Sequence, residues 1–127
     1  MNRRIQQILK NYTADNPGTL SKLAGMLGQG KLSGTGKMVI LPVDQGFEHG
    51  PARSFAPNPA AYDPSYHFKL AIKAGLSAYA APLGMLECAA AEFAGRIPLI
   101  LKMNSSNSLA RFQENADQAV TATVKDA

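Results

Sequence analysis

Between Leu41 and Pro51 the chain reads Leu-Pro-Val-Asp-Gln-Gly-Phe-Glu-His-Gly-Pro. Asp44, Glu48 and His49 put two carboxylates and an imidazole within six residues, a set able to accept and return protons. Asp44 stands directly at the end of the apolar run Met38-Val-Ile-Leu-Pro-Val43. In parallel α/β proteins the carboxyl ends of strands are where ligands bind. Gly46 and Gly50 let backbone approach a ligand closely. The same residues admit a plainer reading, with Asp44 as a capping residue and His49 as a solvated loop residue. The local pattern leaves both open.

Other constellations are weaker. Gly30-Lys-Leu-Ser-Gly-Thr-Gly36-Lys37 imitates a phosphate loop, but Lys31 stands where the first glycine belongs and Met38 where Ser or Thr would hold magnesium. It also precedes a strand, whereas a phosphate loop opens a helix. His49, His67 and Cys88 form no paired metal-ligand spacing, so no metal site is expected. Cys88 lies in an Ala-rich helical stretch and is expected to be a buried, inert thiol.

These residues need elements to position them. Ile5, Ile8, Leu9 and Tyr12 share one face of a first helix, and Asp15-Asn-Pro-Gly18 breaks it. A second helix follows, with Thr19 as N-cap and Leu20, Leu23, Ala24 and Leu27 on one stripe. Residues 37–43 predict a buried strand, with Pro42 tolerated at its end. A proline-rich loop runs from Asp44 to Tyr62. Asp63-Pro64 then opens a helix whose buried stripe is Leu70, Ala71 and Ala74, and Gly75 closes it. Residues 77–81 predict a second strand, 84–94 a helix, and 96–103 a third strand. Residues 104–108 predict a polar loop, and a last helix starts near Glu114. Strands alternating with helices mean a parallel sheet. The pattern fits a small doubly wound domain or part of an eightfold barrel.

Composition narrows the classes. The 127 residues are 46% hydrophobic and 17% charged, which is a globular balance with room for one core. The 13 basic and 9 acidic residues leave a charge of +4, and apart from Arg3-Arg4 the basic residues are scattered singly. With nine aromatics and no Trp, this is not the clustered pattern of a nucleic-acid binder. No window approaches a membrane span. The two arginines near the start are not followed by an apolar stretch, which speaks against a secretory signal. A single cysteine fits the reducing cytoplasm.

Val-Asp-Gln-Gly-Phe-Glu-His-Gly-Pro at 43–51 resembles the first-strand signature of the archaeal-type class I fructose-bisphosphate aldolases, which are also widespread in bacteria. Gly34-Thr-Gly36, Phe55-Ala-Pro-Asn58, Tyr62-Asp-Pro64 and Leu99-Ile-Leu-Lys-Met-Asn104 extend the resemblance to about Ser108. The resemblance implies a TIM (β/α)8 barrel, of which this chain holds the N-terminal part. Residues 1–36 are then a helical prelude of two helices, and 37–127 the first three βα units. It implies reversible cleavage of fructose 1,6-bisphosphate to dihydroxyacetone phosphate and glyceraldehyde 3-phosphate through a lysine Schiff base, with no metal or other cofactor. The substrate is a phosphorylated sugar and the full-length form a homo-oligomer.

Carried over residue by residue, Asp44 matches the family's first-strand aspartate, which assists proton transfer, and Gln45 and His49 fall in the substrate-contacting loop. Many members have His where this chain has Gln45. The imine lysine and the tyrosine proton donor belong to later strands, so the chain alone is expected to be inactive. Lys102 shares strand parity with Ile100 and Asn104, which points it into the barrel interior or mouth. There it could bind phosphate or support the acid–base network, unless it simply reaches solvent. The alternatives are a related superfamily enzyme, such as an aminodideoxyheptulosonate synthase or an autoinducer-degrading thiolase, an inactive fragment, or a small α/β binding module.

Overall fold

The computed structural model describes residues 2–45, 48, 51–106 and 118–127. The chain has a mixed α/β architecture around a parallel sheet of three strands. In chain order the elements are α1 (Arg3–Leu9), α2 (Pro17–Leu27), β1 (Ile40–Pro42), α3 (Pro64–Ala74), β2 (Ala78–Pro82), α4 (Leu83–Glu87), β3 (Leu99–Lys102), β4 (Asn104–Ser105) and β5 (Ala119–Val120). The sheet order is β1-β2-β3, all parallel, and β4 and β5 form a separate antiparallel ladder.

The strand parity sets the core. Leu41, Val43, Tyr79, Ala81, Leu99 and Leu101 point toward the helices, where they meet Phe68, Ala71, Leu86, Ala89, Phe93 and Ile97. Burying these apolar groups contributes roughly 25 cal/mol per Å² removed from water. Phe68 is the hub, edge-on to Tyr79 with ring centroids 4.9 Å apart and stacked on Phe93 at 5.0 Å. The other face carries Ile40, Pro42, Ala80, Ile100 and Lys102, all at least partly exposed.

α3 forms as expected. Asp63 caps it by accepting from the Ser65 N–H at 2.9 Å, Pro64 starts it, and Gly75 ends it in the left-handed region. Its buried residues are His67, Phe68 and Ala71, while Leu70 is exposed. The stripe runs one turn earlier than anticipated because the Phe68 ring claims the centre of the core. His67 is buried, and its Nε2 donates to the Ala61 carbonyl at 2.9 Å. This ties the loop before α3 to the helix. That loop holds two short 3-10 turns, at Pro51–Phe55 and Pro59–Tyr62.

The first two helices join this body through a glycine contact. Gly30 has φ 73, and a Cβ there would lie 2.2 Å from the Gly75 carbonyl oxygen. The Lys31 N–H donates to that same carbonyl at 2.7 Å, so the backbones meet where no side chain fits.

Several expectations are corrected. Asn16, not Thr19, caps α2: its side chain accepts from the Thr19 N–H, and Pro17 occupies the first turn. β1 covers three residues rather than seven, and it is an exposed edge rather than a buried strand, with Val39 48% and Ile40 37% exposed. α4 stops at Glu87, and residues 88–96 continue as turns that still bury Ala89 and Phe93. Cys88 falls on the outward side of this segment and is exposed, not buried. Residues 104–105 are strand rather than loop. Of the last expected helix, 114–117 lie outside the described residues and 118–127 carry β5 and a turn instead. Among the described residues, β3 is followed directly by β4.

Tyr79 is fully buried, and its hydroxyl finds no partner among the described residues. Burial holds its phenol well above the usual range, because the ionised form has no solvation there. An unsatisfied buried hydroxyl costs about 1–3 kcal/mol, so Tyr79→Phe is expected to raise stability by about 1 kcal/mol in urea melts. A phenol whose folded pKa is raised contributes stability that is present below about pH 10 and lost as pH rises and the unfolded chain ionises. The substitution is therefore also expected to flatten the alkaline decline of stability.

Candidate functional site

Three residues fall in one row across the sheet. Pro42 pairs with Ala80 and Pro82 pairs with Lys102. Continuing the first register by two residues brings Asp44 level with Pro82, hence with Lys102. All three stand at the carboxyl ends of their strands, on the face away from the helices. The central strand carries Ala78, Ala80 and Pro82 on that face. No long side chain stands between the outer strands, and the four-carbon stem of Lys102 can lie across the gap.

The Lys102 ammonium donates to Asp44 Oδ2 at 2.9 Å and also forms a short ion pair with Glu48 Oε2. Glu48 is gripped a second time, since the Ser106 hydroxyl donates to its Oε1 at 2.7 Å. The Asp44 N–H donates to the carboxamide oxygen of Gln45 at 3.1 Å. The result is one cation between two carboxylates, with a formal charge of −1 for the trio. The side chains are 26% exposed for Lys102, 23% for Asp44 and 13% for Glu48. The pairs are thus only partly screened by water, and stronger than a surface ion pair.

Chemically, the cluster can move protons. Asp44 can take a proton from a hydroxyl, and a neighbouring ammonium steadies the charge that results. Among the described residues no group of three or more His, Cys, Asp or Glu side chains is placed to hold a metal ion.

The structure brings Asp44 and Lys102 together over 58 residues of sequence and sets Gln45 beside them. His49 lies outside the described residues. Glu48, seen in the sequence only as the second carboxylate of the loop, proves to be a direct partner of Lys102. Ser106 was not singled out, and its only signal is its position two residues beyond Asn104 in the polar run after β3.

The family described as DeoC/LacD family aldolase matches residues 38–127, which include the whole cluster. The chain is 42% identical over 112 residues to the Chlamydia trachomatis protein named "Probable fructose-bisphosphate aldolase class 1", covering 88% of this chain and 32% of the relative. The "Fructose-bisphosphate aldolase class 1" of Thermoproteus tenax is 42% identical over 74 residues, 58% of this chain and 27% of its own. That of Halobacterium salinarum is 34% identical over 93 residues, 73% of this chain and 34% of its own. The chain spans about a third of the length of the curated relatives it matches. No solved structure gives a significant match.

Replacing the shared cation leaves two carboxylates facing each other. Lys102→Met is expected to lower stability by about 1–2 kcal/mol, between the values for exposed and buried pairs. The loss should shrink in 1 M salt if repulsion causes it. Urea melts at low and high salt check both points, and equal losses at the two concentrations would assign the effect to packing.

Proposed function

The chain belongs to the DeoC/LacD family of aldolases, and on that footing we propose that it serves the reversible cleavage of fructose 1,6-bisphosphate to dihydroxyacetone phosphate and glyceraldehyde 3-phosphate. The observation that carries the reading is the Asp44–Lys102 pair at the carboxyl ends of three parallel strands. Support comes from the relatives' names in both a bacterium and archaea.

Retro-aldol cleavage needs two things. The hydroxyl on the departing carbon must lose its proton, and the electrons of the broken carbon–carbon bond need a sink. A lysine iminium is a better sink than a ketone. In this proposal Asp44 takes the hydroxyl proton, while Lys102, Gln45 and His49 contact the sugar. None of this chain's lysines is given the imine, which the resemblance assigns to a later strand.

The same proposal reads the three strands as the first of a TIM (β/α)8 barrel whose mouth holds Asp44. Residues 1–36 are its prelude and 37–127 the start of the barrel. The working enzyme is a cytoplasmic homo-oligomer with no nucleic-acid partner. Among the described residues no helix is long and apolar enough to cross a membrane.

The test is made on the complete polypeptide that carries this sequence. It is expected to cleave fructose 1,6-bisphosphate, and Asp44→Asn to lower kcat by about 10²-fold or more, the usual worth of a positioned acid–base group. A variant as active as the parent removes Asp44 from the mechanism, and an inactive parent removes the substrate. Borohydride reduction with dihydroxyacetone phosphate, followed by peptide mapping, should leave Lys37 and Lys102 unmodified. An adduct at either overturns the assignment of the imine.

A further inference from the structure

Glu48 is bound through both oxygens to different partners. Oε1 accepts from the Ser106 hydroxyl and Oε2 pairs with Lys102. Its side chain is the most buried of the trio. A carboxylate held at two points cannot swing away, so its partner cation cannot either. Lys102 itself has three N–H donors. Two are taken by Asp44 and Glu48, and the third has no protein partner among the described residues.

We propose that Glu48, with Ser106, is a positioning residue that holds the Lys102 ammonium against Asp44 and leaves one N–H for a substrate oxygen. Without Glu48 the flexible stem has one anchor instead of two, and the ammonium samples other rotamers. Ser106 acts one step further out, by fixing the oxygen that faces away from Lys102.

This deepens the aldolase reading, but its test makes no use of the reaction. The complete polypeptide that carries this sequence is treated with limiting acetic anhydride, and acetylation at each lysine is read by peptide mass spectrometry. Lys10, Lys69 and Lys125 are exposed and serve as internal standards. Lys102 should react more slowly than all three. Glu48→Gln is expected to raise the Lys102 rate by about fivefold relative to those standards, the scale of one partly exposed ion pair. Ser106→Ala should raise it less, and Ser106→Thr, which keeps the hydroxyl, should restore the parent rate. An unchanged Lys102 rate in Glu48→Gln overturns the proposal. So does a rise shared by every lysine, which reports lost structure, or equal rates in Ser106→Ala and Ser106→Thr. Failure of the enzyme to cleave the sugar bisphosphate would sink the substrate assignment and leave these rates as they are.

Discussion

The Lys102 ammonium reaches Asp44 across the full width of a three-stranded sheet. Two strand spacings are roughly 10 Å, near the limit of what a lysine and an aspartate span together. The bridge therefore demands three things at once. The registers must bring Asp44, Pro82 and Lys102 into one row, and the pairing of Pro42 with Ala80 and of Pro82 with Lys102 does so. The strand between must carry small side chains on that face, and Ala80 and Pro82 do. The parity of both outer strands must also agree. A slip of one residue in β3 would send Lys102 toward Phe68 and Phe93 and put Leu101 at the mouth.

The opposite face supplies the rigidity that such a reach requires. Phe68, Tyr79 and Phe93 form a continuous aromatic packing against the sheet. His67 extends it toward the loop, lying 5.4 Å from Phe55 and 5.3 Å from Tyr66 between ring centroids. Its bond to Ala61 anchors the segment before α3. The core and the site are thus two faces of the same three strands, and neither could be rearranged without the other.

Much of this was legible in the sequence where local chemistry and tertiary need agree. Asp63-Pro64 and Gly75 mark both ends of α3, and the apolar runs at 38–43 and 97–103 mark the outer strands. Asp44 stood out as an acid at a strand end, and parity alone pointed Lys102 to the right face. Periodicity failed where packing decides. It put Leu70 in the core, although the Phe68 ring determines which stripe of α3 is buried. It put Cys88 inside, although the segment after Glu87 turns that side outward. Asn16-Pro17 reads equally as a turn, because turn chemistry and an N-cap followed by Pro use the same residues. The Glu48–Ser106 contact joins two loops 58 residues apart, and no local pattern encodes such a meeting.

The contact of Gly30 with Gly75 has a consequence for how such a sequence can be recombined. Each position is held to glycine by its own neighbour: a side chain at Gly30 would strike the Gly75 carbonyl, and one at Gly75 would strike the Lys31 stem at 2.9 Å. A chimera that joins two relatives anywhere between these positions keeps the fit only if the first parent supplies Gly30 and the second supplies Gly75. A nucleotide change at the first or second position of either glycine codon closes that route. Crossovers placed before Gly30 or after Gly75 inherit the contact whole, and gene shuffling across this family should leave its surviving junctions there.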